Sequence, residues 1–202
     1  MKKHILISQA IIYDKSRNEI SDNLDTRLVD FFLKLNYNPL TISNSYKSPD
    51  NLLKTLNLSA IILSGGADFG KFPKRDNLEK ALISYSIRKK IPLIGICRGM
   101  QMINKFFNGK LIKIDHHVKK NHLIRDVKNN RKIIVNSYHN YAISEKTIHK
   151  DLLILFRCLK DRSIEAFKHR KYKILGIMWH PEREKKFKNY DKRFIKKFLN
   201  ND

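Results

Sequence analysis

The segment that most limits how this chain can fold is Ile91-Pro92-Leu93-Ile94-Gly95-Ile96-Cys97-Arg98-Gly99-Met100-Gln101. It reads as a strand buried on both faces, then a glycine-flanked turn, then a helix. Gly-x-Cys-x-Gly between strand and helix has the form of a nucleophile elbow, whose central side chain sits on a sharp, strained turn. Side chains at the flanking positions would collide with neighbouring backbone, and glycine avoids that. The turn also places the sulfur near a helix N-terminus, whose partial positive charge favours a thiolate. It leaves the amide N–H of Arg98 pointing toward an oxyanion formed during attack. A free cysteine by itself is usually an inert core residue. Cys158, which follows Leu152-Leu153-Ile154-Leu155-Phe156 with no glycine nearby, is read that way. Gln101 lies four residues after Cys97 on the same helix face, where its amide can meet a polar substrate.

Around this segment, short β-branched runs alternate with helical patterns. Strands are expected at residues 5–8, 38–42, 60–64, 93–96, 133–136, 152–156, 164–167 and 174–178. Helices are expected from a Ser21 N-cap through Leu24, Leu28, Phe31, Phe32 and Leu35, and after a Ser48 cap with Pro49 at the first helical position. Further helices are expected at 77–89, at 98–107 with a stop at Asn108-Gly109, and at 189–199. The alternation indicates an α/β fold with a mainly parallel central sheet flanked by helices. Strands crowd closer together in the second half, which suggests a small antiparallel extension. No repeat or Gly/Pro-rich linker interrupts the chain, so residues 1–202 are expected to form one domain.

Composition narrows the setting. The opening Met1-Lys2-Lys3 and Ile5-Leu6-Ile7 are read as the start of a core strand, since Ser8-Gln9 interrupts the apolar stretch and no small-residue cleavage site follows. No run approaches the roughly 18 apolar residues of a membrane span. Two distant cysteines provide neither a disulfide framework nor a CxxC metal pattern, so a reducing cytoplasm is expected. The formal charge of +23 would favour anionic ligands, yet it is dispersed apart from Arg183 to Lys197 and accompanies a chain-wide bias toward Lys, Asn and Ile. No stacking motif or helix-turn-helix accompanies it, so no specific nucleic-acid partner is expected.

A thiolate nucleophile needs a base, and the base needs an orienting group. Of eight histidines, His180 stands out: the strand pattern Ile174-Leu175-Gly176-Ile177-Met178-Trp179 ends at His180-Pro181-Glu182. Pro181 halts the ladder, and Glu182 can reach back to the imidazole. His116, His117 and His122 form another group, but two adjacent histidines rarely share one ion, and they are read as loop or strand-edge residues with no metal expected. His139 follows a strand and could line a pocket.

Taken together, Leu63-Ser64-Gly65-Gly66, Gly95-Ile96-Cys97-Arg98-Gly99-Met100-Gln101, Val135-Asn136-Ser137-Tyr138-His139 and Gly176-Ile177-Met178-Trp179-His180-Pro181-Glu182 resemble the class I glutamine amidotransferase superfamily, in its γ-glutamyl hydrolase branch. The resemblance implies a flavodoxin-like domain with Cys97 as nucleophile, His180 as general base and then acid, and Glu182 as orienter. It implies an oxyanion hole from the N–H groups of Gly66 and Arg98. Gln101 and the backbone around Ser137 and Tyr138 would hold the γ-glutamyl group, and no metal or organic cofactor would be needed. A narrower similarity, to the γ-glutamyl-CDP-amidate hydrolases of capsule biosynthesis, lies in residues 11–25 (Tyr13, Glu19, Asp22, Leu24-Asp25) with Arg75-Asp76 and Glu79; Ser21 stands where that subgroup is expected to carry arginine. The implied substrate is then a nucleotide-linked γ-glutamyl amide. The alternatives are a glutaminase subunit feeding a separate synthase, a hydrolase of γ-glutamylated polyamines and, from a different class, a basic nucleic-acid-binding protein on an inactive hydrolase fold. An intact Cys/His/Glu set argues against the last.

Overall fold

The computed structural model describes residues 3–200. Nine strands form the main sheet: β1 (Lys3–Ser8), β4 (Tyr37–Ile42), β5 (Leu58–Leu63), β6 (Leu93–Ile96), β8 (Val118–Asp126), β9 (Lys132–Tyr138), β11 (Leu152–Cys158), β12 (Ile164–His169) and β13 (Ile174–Ile177). Their spatial order is β4-β1-β5-β6-β13-β12-β11-β8-β9. From β4 to β13 every neighbouring pair is parallel; from β13 to β9 every pair is antiparallel. The fold is therefore α/β, with a parallel half as expected and an antiparallel extension. That extension includes β8, which the sequence reading did not anticipate. Two short pairs stand apart, β2 (Ala10–Asp14) with β3 (Glu19–Asn23), and β7 (Ile112–Lys113) with β10 (Tyr141–Ala142).

The central strands bury both faces because their apolar residues run consecutively. Ile5, Ile7, Ile62, Ile94 and Ile96 point to one layer, closed by α1 (Thr26–Lys34) and α5 (Asn189–Asn200) through Leu28, Phe31, Phe32, Ile195 and Leu199. Leu6, Ile61, Leu63 and Leu93 point to the other, closed by α3 (Pro73–Lys89) and α4 (Arg98–Phe106) through Leu82, Ile83, Met100 and Ile103. Burying each such side chain stabilises the fold by about 1.5–3 kcal/mol.

Two local expectations are corrected. Ser21 is no helix cap: it lies in β3 opposite Ile12, in a hairpin that the helical reading of this region missed. The cap of α1 is Asp25, whose carboxylate accepts from the N–H of Arg27 at 3.0 Å. Pro49 is itself the cap of a short α2 (Asp50–Thr55) and does not occupy the first helical position. The stop after α4 falls as expected, with Asn108 in the left-handed region at φ 67° and the N–H of Gly109 donating to the Asn104 carbonyl at 2.8 Å.

Strands β5, β6 and β13 are adjacent and parallel, so Ser64-Gly65-Gly66, Cys97 and Trp179-His180 all emerge at one end of the sheet. Open α/β sheets bind ligands at the carboxyl ends of their strands, beside the point where strand order reverses. Here that point lies between β1 and β5.

Candidate active site

The elbow is built as the sequence demands. Cys97 adopts φ 52° and ψ −104°, a conformation that costs a non-glycine residue on the order of 1–3 kcal/mol. Its amide N–H donates to the Ile177 carbonyl at 2.8 Å, tying the turn to β13. Gly99 is needed for close approach: a Cβ there would lie 2.3 Å from the carbonyl oxygen of Leu63. Cys97 itself is only 5 % exposed.

His180 is buried beside Cys97, and its imidazole hydrogen-bonds Glu182. The bond to Glu182 joins Nδ1 and Oε1 at 2.6 Å, so Nδ1 carries a proton and the other nitrogen is turned to the sulfur. Burial alone would lower the histidine's pKa; the charges of Cys97 and Glu182 outweigh it and hold the group up at about 9. The imidazole beside the sulfur is thus held in its protonated form near neutrality. Asn136 fixes the backbone: its side-chain amide accepts from the His180 N–H at 2.9 Å and donates to the His180 carbonyl at 2.8 Å. The sequence reading quoted Asn136 only within its motif, since nothing local tells that it faces residue 180.

The Ser64-Gly65-Gly66 loop lies against this imidazole. A Cβ on Gly65 would stand 2.6 Å from His180 Cε1, and Gly66 has φ 136° with Arg75 Nη1 directly beneath it. Arg75 holds the loop through Nη2, which donates to the carbonyls of Ser64 at 2.8 Å and Gly65 at 2.9 Å. Behind it, Arg75 pairs with Glu79 at 2.9 Å, and the Arg98 guanidinium pairs with both Glu79 and Asp76. Ser8 completes the set, donating to Glu79 at 2.8 Å and accepting from the Ser64 N–H at 3.1 Å. Burial would raise the Glu79 carboxyl, yet Arg75 and Arg98 keep it below the usual carboxylate range. Arg75, Asp76 and Glu79, residues of the narrower similarity, form this ionic support together with the Arg98 side chain, a contact across 19 or more positions that no local pattern marks.

The remaining expected contacts are distributed as follows. Gln101 is buried, its amide donating to the Tyr141 carbonyl at 3.0 Å. Ser137 is buried as well, its hydroxyl donating to the His117 carbonyl at 2.6 Å. Tyr138 stands edge-on to the His180 ring at 5.8 Å, with the Arg183 guanidinium over its own face at 4.8 Å. Cys158 lies in the core, as expected. The histidine group departs from expectation: His116 is exposed, but His117 is buried and joins His139, Glu165 and Asp161.

A cavity of about 1000 Å³ opens in front of His180, Glu182 and Gly66. The β2–β3 hairpin forms one wall through Ile11, Tyr13 and Lys15, and Lys71 and Arg183 add cations at the rim. The missed hairpin is therefore part of the site. Its signal was the Asp14-Lys15-Ser16-Arg17-Asn18 stretch, in which Asp14 accepts from the Ser16 N–H at 2.9 Å and Asn18 takes φ 54°.

A family model described as glutamine amidotransferase class-I matches residues 16–201. The chain belongs to the class I glutamine amidotransferase family. It is 39 % identical over 193 residues to the γ-glutamyl-CDP-amidate hydrolase of Campylobacter jejuni subsp. jejuni serotype O:2, covering 91 % of this chain and 92 % of that one. It is 29 % identical to the carbamoyl phosphate synthase small chain of Aquifex aeolicus over 77 % of this chain but only 43 % of the relative. The fold matches a glutamine amidotransferase from Thermotoga maritima with a TM-score of 0.66 at 17 % identity, covering 90 % of this chain and 77 % of that one. No helix among the described residues is long and apolar enough to cross a membrane.

Proposed function

We propose that this chain hydrolyses a γ-glutamyl amide through a Cys97 thioester and releases glutamate, and that its substrate is γ-glutamyl-CDP-amidate, which would yield cytidine diphosphoramidate for capsule polysaccharide modification. The observation that carries the chemistry is the His180 imidazole held between Cys97 and Glu182 at the mouth of a large cavity. The substrate assignment is supported by the similarity to the Campylobacter protein, which spans nearly the whole of both chains.

In this reading the Cys97 thiolate attacks the amide carbonyl carbon. The N–H groups of Gly66 and Arg98 receive the oxyanion; as the first residue of α4, Arg98 has no intrahelical acceptor for its N–H. The imidazolium of His180 donates its proton to the departing nitrogen, the C–N bond breaks, and a glutamyl thioester remains. Neutral His180 then takes a proton from water, which attacks the thioester, and the sulfur leaves as thiolate to restore the starting pair. Glu182 keeps the proton on Nδ1 throughout. Lys15, Lys71 and Arg183 at the cavity rim suit a pyrophosphate, whose attraction to them would weaken with salt.

The test is glutamate release by the purified chain from γ-glutamyl-CDP-amidate, γ-glutamylputrescine and glutamine. The nucleotide substrate should have the largest kcat/KM, and that value should fall as ionic strength rises. A second reading, a glutaminase subunit that feeds a synthase, is prompted by the carbamoyl phosphate synthase small chains. Glutamine turnover that appears only with an added partner would favour it over the free-standing hydrolase. No glutamate from any of the three compounds with the chain alone would overturn the free-standing hydrolase, and none with the partner added would overturn both.

A further inference from the structure

On the antiparallel side of the sheet, away from the cavity, the segment before β8, the end of β9 and the start of β12 bring His117, His139 and Glu165 together. All three are buried, Glu165 completely, and their ligand atoms lie within 4.8 Å of one another. Hydrogen bonds settle where the protons are. His139 Nδ1 faces the Tyr141 carbonyl at 3.0 Å, and a carbonyl only accepts, so Nδ1 holds the proton and Nε2 presents a lone pair. His117 Nε2 faces the Asp161 carboxylate at 2.6 Å, so Nε2 holds the proton and Nδ1 presents a lone pair.

These two lone pairs face each other across 3.2 Å. Ser137 Oγ is 3.3 Å from His117 Nδ1, but its proton goes to the His117 carbonyl at 2.6 Å, so it too turns an oxygen lone pair inward. Glu165 Oε1 lies 3.8 Å from His139 Nε2. Its Oε2 is buried without an aligned hydrogen-bond donor and pairs with His122 Nε2 at 3.3 Å, where burial would lower the imidazole's pKa but Cys158 and Glu165 hold it up at about 10. With both rings neutral, four electron-rich atoms thus converge with no proton between them, the Ser163 hydroxyl reaching Glu165 Oε1 from outside at 3.3 Å. In water or in an apolar core this arrangement is repulsive; around a cation it is attractive.

We infer that this cluster is a binding site for a divalent transition metal of the zinc type, with His117 Nδ1, His139 Nε2 and the Glu165 carboxylate as ligands and Ser137 Oγ at the remaining corner. Tetrahedral coordination at bond lengths near 2.0–2.1 Å sets neighbouring ligand atoms about 3.3 Å apart, close to the spacing seen. Imidazole nitrogen suits zinc, cobalt or nickel, whereas calcium and magnesium prefer shells of oxygen. Each ligating histidine also has the outer partner that metal-bound imidazoles use, a carboxylate for His117 and a backbone carbonyl for His139.

The ion would act as a brace. The Tyr141 carbonyl that orients His139 also accepts from Gln101, and the Glu165 carbonyl accepts from the N–H of Met178, two residues before His180. Binding would therefore pin β9, β12 and β13 together behind the elbow and would stabilise the fold without taking part in chemistry.

The experiment uses cobalt(II) as probe on the full chain carrying Cys97→Ser, so that the active-site thiolate cannot report. Titration should produce the visible bands of tetrahedral cobalt at one ion per chain, with a rise in Tm, and added zinc should bleach the bands. Glu165→Gln should weaken cobalt binding at least tenfold. Asp161→Asn, which leaves all ligands in place and removes only the outer partner of His117, should weaken it roughly 10–100-fold. Absence of both bands and Tm shift in the Cys97→Ser chain, or unchanged cobalt affinity in the folded Asp161→Asn and Glu165→Gln variants, would overturn the assignment.

Discussion

Two buried sets of charged groups flank the elbow at Cys97, and they are built for opposite ends. On one side Arg75, Glu79, Arg98 and Asp76 set two cations against two carboxylates, each residue at most 5 % exposed, behind the Ser64–Gly66 loop. On the other side His180 and Glu182 line a cavity with Cys97 buried beside the imidazole, and Glu182 Oε2 is left without a partner. The first set is neutral as a whole and holds backbone in place. The second sets one imidazole between a sulfur and a carboxylate. Arg98 belongs to both: its N–H is proposed to receive the oxyanion while its guanidinium is anchored in the ionic set. Rigidity on one side is what allows reactivity on the other, because an oxyanion hole works only if its donors need not move during the reaction.

The comparison can be broken most sharply at Cys97. Cys97→Ala should lower turnover by roughly 10⁴-fold or more, since members of such a unit fail together, while the urea midpoint stays near the parent value. A variant that keeps turnover would remove the catalytic side of the contrast altogether. Glu79→Gln should do the reverse. It strands Arg75 and Arg98 with too few anions and should cost about 3–5 kcal/mol of stability, read from urea unfolding, with a smaller loss of rate per folded molecule. If Glu79→Gln unfolds at the parent midpoint, the ionic set is not the support described here.

The proton on His180 supplies a finer test. Its pKa is raised from 6.5 to about 9, so the imidazolium pairing contributes fully to stability below pH 6.5 and fades as pH climbs through about 9. kcat/KM should likewise decline on the alkaline side with an apparent pKa near 9, as the acid that protonates the leaving nitrogen is lost. Glu182→Gln should move that limb downward; an unmoved limb would show that Glu182 does not set the titration. The smallest effect lies outside both sets. Asp25→Ala removes the cap of α1 and should cost about 1 kcal/mol in thermal unfolding without shifting the pH profile.

Legibility in the sequence followed the range over which each feature is encoded. The parallel half could be read because its strands are continuous apolar runs, such as Ala60-Ile61-Ile62-Leu63, bounded by glycine. The antiparallel half was harder. Strand β8 carries Lys119, Lys120, Asn121, His122 and Arg125, and leaves Val118 and Leu123 substantially exposed, so no hydrophobic period marks it. The β2–β3 hairpin was hidden for a related reason: Ile12, Tyr13 and Ile20 are exposed to form a cavity wall, and their pattern merged with that of α1.

By itself the sequence determined the elbow. A buried strand, a glycine-flanked turn and a helix follow one another within eleven residues, and their stereochemistry leaves Cys97 little choice of conformation. It also marked His180-Pro181-Glu182 as a short unit in which a carboxylate can reach an imidazole. Only the tertiary structure decided that His180 meets Cys97, that Asn136 clamps its backbone, that Arg98 is anchored by α3, and that His117, His139 and Glu165 converge from separate segments. Those contacts join residues far apart in the chain, so they depend on strand order and register, which no local stretch of sequence encodes.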